Sequence, residues 1–359
     1  MIKFLHAADL HLDASFSSLG REQAVLRRRE QRESLRRLVE ICNAERCDLL
    51  LLAGDLLDSG SAWQETVDCL RECFASCKAE IFLAPGNHDP FLPGCPYDTV
   101  EWPDHVHIFT RNRLDAVPLP ELGCVVYGAA LTAAGSPASL EGFRTEDPSL
   151  FHLMVLHGEL KPDSPYCPVT EEQIAASGLD YLALGHVHRF GGVRKAGRTT
   201  YAWPGCLMGR GFDETGEKGF LLGSMDETGC NVAFVPMPGR TYEILRVQAG
   251  DDAAAAIEAA LPAGTERDIY RVVLEGTAEA VDTQLLERRF ASRFFGLTVL
   301  DQTVPKQDLW AAAGEDTLRG LFLRELKQRY DAAEDGEDRR KLAMAARIGL
   351  AAMEGREQI

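Results

Sequence analysis

The sequence predicts an α/β fold with its chemistry gathered at one rim of a sheet. Short apolar runs of strand length alternate with longer amphipathic segments, the βαβαβ rhythm of a largely parallel sheet. Five of those runs end in Asp, Asn or His, most with a glycine alongside. In open α/β sheets, ligands collect just past the carboxyl ends of strands.

Phe4 to Ala8 reads as a short buried strand followed by Asp9-Leu10-His11. Side chains two apart on an extended backbone point the same way, so Asp9 and His11 are expected to aim together as a chelate. A helix from about Glu22 to Asn43 returns the chain, and Asp48 to Ala53 forms the next strand, ended by Gly54-Asp55-Leu56-Leu57-Asp58. Gly54 lets the backbone approach closely, and the two oxygens of Asp55 suit a bridge between two cations. Glu65 to Ala79 is the next helix, and Ile81 to Ala84 is a strand leading to Gly86-Asn87-His88-Asp89-Pro90. Asn87 offers a neutral amide oxygen to a hard cation, and His88 a titratable imidazole beside it.

A loop rich in proline and aromatics, Pro90 to Pro103, precedes strands at Val106 to Phe109 and Cys124 to Gly128. Leu153 to Leu156 ends in His157-Gly158, and Tyr181 to Leu184 ends in Gly185-His186-Val187-His188. Strands continue at Thr200 to Trp203, Gly219 to Ser224 and Val232 to Val235, and Pro236 to Gly239 marks a boundary. The first domain is therefore placed at 1–240. Strand-like Glu243 to Val247, Tyr270 to Leu274 and Leu297 to Leu300 alternate with helix-like Asp252 to Leu261 and Val281 to Phe290, giving a small βαβαβ capping domain at 241–305. Residues 306–359 read as a helical segment. Leu318, Leu321, Phe322 and Leu326 are expected to share one apolar face, and an acidic run, 334–338, leads to a second helix bearing Leu342 and Ile348. This helical segment either covers the small domain or docks a partner.

A chain of 359 residues that is 45% hydrophobic is globular with a sizeable core. It has no apolar run approaching the roughly 18 residues of a membrane span, and it opens on Ile2-Lys3-Phe4-Leu5 without signal-peptide architecture, which points to a cytoplasmic protein. Its ten cysteines then read as reduced thiols, with Cys69, Cys73 and Cys77 on one helical stripe as small buried residues. A net charge of −17 runs against a broad basic footprint for nucleic acid. The dense arginines Arg27, Arg28, Arg29, Arg32, Arg36 and Arg37 are interleaved with Glu30, Glu33 and Glu40 at pairing distance, which reads as a solvated helix face.

The collected candidate ligands are Asp9, His11, Asp55, Asn87, His157, His186 and His188, with His88 as a neighbour that does not ligate. Mixed oxygen and imidazole donors suit manganese, iron or zinc rather than calcium, and the absence of thiolate argues against a structural zinc. So many ligands imply two metals. Cations roughly 3.5 to 4 Å apart can hold a bridging hydroxide and clamp a phosphoryl group during in-line displacement.

In this order the motifs Asp9-x-His11, Gly54-Asp55-x-x-Asp58, Gly86-Asn87-His88-Asp89, His157 and Gly185-His186-x-His188 resemble those of the calcineurin-like metallophosphoesterases. The resemblance implies a four-layer α/β/β/α sandwich. It implies one metal on Asp9, His11, Asp55 and His188 and another on Asp55, Asn87, His157 and His186. His88 would protonate the leaving oxygen, and Asp58 would orient His88 by a hydrogen bond. Protein phosphatases of this superfamily follow the second aspartate with arginine and glycine, where this chain has Ser59-Gly60. The segments Tyr201 to Cys206, Gly209 to Glu214 and Gly216 to Phe220 look instead like the nuclease branch, the SbcD type of DNA repair exonuclease. His6 to Asp13 and the Trp102-Pro103 loop are most similar to its YhaO-like subgroup, although Cys206 replaces the expected serine or asparagine. That branch implies manganese dependence, cleavage of DNA ends, a homodimer and an SbcC-type coiled-coil ATPase partner. The acidic balance keeps two other readings in play: a phosphodiesterase for a small nucleotide, or a mainly regulatory subunit working through its terminal helices.

Overall fold

The computed structural model describes residues 1–133, 140–161, 164–278, 281–305 and 309–353. The chain opens with β1 (Ile2–Ala7), α1 (Arg21–Ala44), β2 (Leu49–Leu52), α2 (Gln64–Ser76), β3 (Glu80–Leu83), a single turn α3 (Pro96–Thr99) and β4 (Val106–Ile108). It continues through β5 (Asp115–Leu119), β6 (Cys124–Gly128), β7 (Phe151–His157), α4 (Glu171–Ser177), β8 (Tyr181–Gly185), β9 (Arg194–Ala196), β10 (Thr199–Ala202), β11 (Gly219–Asp226) and β12 (Gly229–Pro236).

Two six-stranded sheets result, ordered β12-β11-β1-β2-β3-β4 and β5-β6-β7-β8-β10-β9. β1 to β4 are parallel neighbours, with Phe4 opposite Leu49 and Leu49 opposite Glu80. Antiparallel β11 and β12 extend one edge. The second sheet is parallel from β6 through β10 and antiparallel at β5 and β9.

Strand alternation explains the layering. Ile2, Phe4, Leu49, Leu51 and Phe82 face across to Val126, Leu153, Val155, Tyr181 and Ala183 of the other sheet. Leu5, Leu50, Leu52, Ile81 and Leu83 face the opposite way, onto Leu35, Leu38 and Cys42 of α1 and Leu70, Cys73 and Phe74 of α2. Met154, Leu156, Leu182 and Leu184 are covered by Ile174 of α4. The order is thus α/β/β/α. Strands covered on both faces read as unbroken apolar runs, which is why Leu49 to Leu52 is recognisable.

All ten cysteines are free thiols, nine of them buried. The arginine-rich face of α1 departs from expectation at Arg27. Arg27 is wholly buried, pairing with Glu30 at 2.7 Å and donating to the Gly209 carbonyl at 2.9 Å. Arg32 pairs with Glu65 at 2.9 Å, and Arg36 lies near both Glu33 and Glu72. The rest of the stripe follows the expectation: Arg29 and Arg37 are exposed, and Arg36 meets Glu33 at 3.7 Å on the surface.

Beyond the sandwich come β13 (Tyr242–Gln248), α5 (Ala253–Ala260), β14 (Ile269–Glu275), β15 (Thr277–Ala278), α6 (Thr283–Phe290), β16 (Gly296–Asp301), β17 (Val304–Pro305), α7 (Leu318–Ala332) and α8 (Gly336–Met353). β13, β14 and β16 form a three-stranded sheet in that order, and β15 pairs with β17. By compactness the chain divides into one unit of Met1–Leu245, Pro262–Arg271 and Glu287–Thr298, and another of Arg246–Leu261, Val272–Leu286 and Val299–Ile359. In the second unit, Ala312, Leu323 and Ala346 are buried, with Phe322, Leu326 and Leu350 packed on them. Leu318 and Leu321 lie outside that cluster, 75% and 56% exposed, so the expected single apolar face of α7 splits. Residues 306–308 and 354–359 of the C-terminal segment lie outside the described residues. Among the described residues, no helix is long and apolar enough to cross a membrane.

Candidate metal centre

The strand ends of both sheets meet at one rim. Asp9 and His11 follow β1, Asp55 follows β2, and Asn87 and His88 follow β3; His157 ends β7, and His186 and His188 follow β8. The ligating atoms of Asp9, His11, Asp55 and His188 all lie within 4.8 Å of one another. Asn87 Oδ1 is 2.9 Å from His157 Nε2 and 3.1 Å from His186 Nδ1. Asp55 stands between the two subsets, with Oδ2 3.7 Å from His11 Nε2 and 3.4 Å from His157 Nε2. His88 is exposed at the rim, and its backbone N–H donates to Asp55 Oδ1 at 2.8 Å.

The backbone that presents these groups is unusual. Asp9, His11, Asp55 and His186 all have positive φ, at 53°, 45°, 50° and 94°. The extended geometry expected at Asp9-x-His11 is therefore corrected: β1 ends at Ala7, and both residues adopt the left-handed region. Such conformations cost of order 1–3 kcal/mol each and persist only where the surroundings enforce them. Here the Asp9 N–H donates to the Gly54 carbonyl at 3.0 Å and the His11 N–H to the Asp55 carbonyl at 2.9 Å. Gly54 itself has φ 87°, and a Cβ there would lie 2.5 Å from His157 Nδ1 and 2.9 Å from the Ala84 oxygen. Only glycine fits that junction between the sheets.

Asp89 supports the same loops from below. It is buried, and its carboxylate accepts from the backbone N–H groups of Gly86, Asp55 and Leu57 at 2.8, 3.1 and 3.0 Å, and from the Tyr97 hydroxyl.

Electrostatics bind the cluster together. Burial opposes ionisation of Asp55, yet His157 and His11 hold its carboxyl below the usual range. Burial likewise opposes charge on His157, but Asp55 and Asp9 raise it to about 9. His157 Nδ1 lies 2.9 Å from the Ala53 carbonyl, which can only accept, so Nδ1 carries a proton and Nε2 faces the cluster. Burial pushes the Asp9 carboxyl up, against the lowering influence of His157 and His188. The His11 imidazole is pushed down, by burial first.

Asp58 behaves differently from expectation. Its backbone carbonyl, not its carboxylate, faces His88 Nδ1, at 3.1 Å. The carboxylate Oδ1 instead lies 3.1 Å from His11 Nδ1 and accepts from Arg210 Nη1 at 3.0 Å. Arg210 and Glu214 thus belong to the site, although neither carries a role that sequence reasoning assigns; Glu214 Oε1 lies 2.7 Å from His188 Nδ1. Cys206 is buried, and its N–H donates to the His188 carbonyl at 3.1 Å.

Two carboxylates, an amide oxygen and four imidazoles, converging and largely buried, match divalent cations of intermediate hardness. His11 Nε2 and His188 Nε2 face each other at 3.2 Å, close enough for both to serve one cation.

The geometry is that of a metal-dependent phosphoesterase, and sequence comparison agrees: residues 2–190 match the calcineurin-like phosphoesterase family. The chain belongs to that family, whose members are divalent-metal hydrolases of phosphoesters. It is 32% identical over 234 residues to the uncharacterized metallophosphoesterase YhaO of Bacillus subtilis (strain 168), a match covering 62% of this chain and 57% of that protein's length. Among solved structures, a dimetal phosphatase from Danio rerio is similar at 13% identity and a TM-score of 0.41, covering 66% of this chain and 99% of its own. The protein TT1561 of Thermus thermophilus is similar at 10% identity and a TM-score of 0.39, covering 65% and 98%.

Proposed function

We propose that this chain is a two-metal phosphodiesterase that cleaves DNA. The observation that carries the two-metal reading is Asp55, placed between a subset of Asp9, His11 and His188 and a subset of Asn87, His157 and His186. When bound, paired divalent cations supply Lewis acidity toward phosphoryl oxygens and lower the pKa of water; the motif resemblance favours manganese. Each chain residue then has a defined task. Asp55 joins the two subsets, and Asn87 contributes a neutral oxygen that adds no negative charge beside an anionic substrate. His88, exposed at the rim and fixed through its backbone by Asp55, is placed to hand a proton to the departing sugar oxygen.

DNA as substrate rests on the resemblance of the 201–220 segments to the nuclease branch, and on the absence of the phosphatase arginine after Asp58. The same resemblance supports a homodimer and a coiled-coil ATPase partner. Exposed Leu318, Leu321, Met344 and Ile348 on the terminal helices offer apolar surface for such docking. A second reading, a small nucleotide phosphodiester, is favoured by the net charge of −17 and by the capture of Arg27, Arg32 and Arg36 in local ion pairs.

Metal-titrated digestion of end-labelled DNA across a salt series separates the readings. Gripping several phosphates makes cleavage fall steeply with salt, whereas a small substrate is nearly indifferent. Activity on a small diester with none on DNA would overturn the nuclease assignment.

A further inference from the structure

We propose that Arg210 and Glu214 are positioning residues, forming with Asp58 an ionic clamp that sets cation affinity in one half of the metal centre and not in the other. This rests on the two-cation reading above. His11 and His188 present their Nε2 atoms inward, 3.2 Å apart, and each turns its Nδ1 outward to a carboxylate. His11 Nδ1 lies 3.1 Å from Asp58 Oδ1, and His188 Nδ1 lies 2.7 Å from Glu214 Oε1. Glu214 Oε1 can only accept, so it fixes the His188 tautomer with Nδ1 protonated, and Arg210 Nη2, which also lies 3.0 Å from that nitrogen, turns its own proton to Glu214; Asp58 faces His11 Nδ1 as a nearby charge without hydrogen-bond alignment.

One guanidinium ties the two carboxylates together. Arg210 Nη1 donates to Asp58 Oδ1 at 3.0 Å, while Nη2 and Nε donate to Glu214 Oε1 at 2.7 and 3.2 Å. The Arg210 backbone N–H donates to Glu214 Oε2 at 2.8 Å, so both Glu214 oxygens are held. Glu214 is 4% exposed, and a carboxylate so buried needs this set of donors to stay charged. The planar fork of arginine spans both carboxylates, which a lysine ammonium on its flexible stem does not. Behind the fork, Arg27 of α1 donates to the Gly209 carbonyl at 2.9 Å, fixing the residue before Arg210.

The other half is held without this device. His157 Nδ1 is fixed by the Ala53 backbone carbonyl at 2.9 Å, and His186 Nε2 lies 3.6 Å from Glu159. The carboxylate and carbonyl that orient these two rings are therefore not those gripped by Arg210. Loss of the clamp should weaken one cation selectively.

Calorimetric titration of the metal-stripped full chain with Mn2+ tests this, alongside the unfolding midpoint of each stripped protein. Wild type is expected to take up two equivalents. In Glu214→Gln and in Arg210→Lys, one equivalent should weaken about tenfold to a hundredfold while the other keeps its wild-type affinity. Two wild-type equivalents in both variants would overturn the clamp and leave the two-cation reading standing. Equal weakening of both equivalents in step with a lowered unfolding midpoint would assign the pair a merely structural role and overturn it too. A wild type that takes up a single equivalent or none would instead overturn the two-cation reading, and the clamp with it.

Discussion

Asp89 Oδ1 accepts the backbone N–H of Asp55 at 3.1 Å, so a buried carboxylate outside the ligand set fixes the pose of the residue at the centre of the site. The same side chain also anchors Gly86 and Leu57, tying the loops after β2 and β3 to one point. Asparagine has one acceptor oxygen and would turn a donor toward N–H groups. Asp89→Asn is expected to lower stability by about 3 kcal/mol, the scale of a buried charged hydrogen-bond set losing its acceptor. Urea unfolding of the metal-free proteins measures it; an unchanged midpoint would contradict the role given to Asp89.

His88→Ala should retain metal and lose turnover by about 10²- to 10⁴-fold, the range for removing a general acid. Asp55→Asn should lose both. Metal content after dialysis, read beside turnover on one phosphodiester, distinguishes the two patterns. Equal metal loss in both variants would remove His88 from the proton-donor role.

Metal uptake should release protons. With its pKa raised to about 9, His157 is protonated at neutral pH, where it faces Asp55. A cation must displace that proton. Affinity should therefore climb as pH rises toward 9, and calorimetry in buffers of different ionisation enthalpy should report the released proton. His157→Gln should abolish the released proton along with one equivalent of metal.

Acid sensitivity should also arise between the two sheets, beneath the ligand loops. His6 is fully buried with Nδ1 2.9 Å from the Tyr181 hydroxyl, and burial lowers its pKa to about 3. Because the folded value lies below the unfolded one near 6.5, the unfolded chain takes up the proton first. The contribution is intact above about pH 6.5 and is lost as pH falls from there toward 3. Between about pH 7.5 and 5 the loss is about 2 kcal/mol. Urea midpoints across that interval should fall less in His6→Gln than in wild type.

Much of the fold and site is legible because buried strands and their polar ends leave local marks. Leu49 to Leu52 followed by Gly54-Asp55 needs no tertiary knowledge to read as a strand end with chemistry beside it. The same logic finds Asp9 and His11 but not their left-handed backbones, since the strand rule assumes that extension continues to the last polar residue. Arg27 escapes such reading because arginine is ordinarily exposed; its burial rests on Glu30 together with the Gly209 carbonyl, 182 residues away, which no local pattern reveals. Glu214 is visible as a motif residue yet has no assignable role, because its partner His188 lies 26 residues upstream and their bond depends on how the intervening strands fold. The edge strands β5 and β9 are short and partly exposed, and Pro118 and Lys195 blur their alternation.

The rim is assembled from both leaves of the sandwich: Asp9, Asp55 and Asn87 hang from one, His157, His186 and His188 from the other. A cation seated among them is consequently a rivet through the molecule. Each ion gained would draw the leaves together by mass action, and each ion stripped by a chelator would leave that work to the apolar seam between Phe4 and Tyr181 and to direct bonds such as His157 Nδ1 on the Ala53 carbonyl. Heat resistance and catalytic readiness would then rise and fall with the same occupancy.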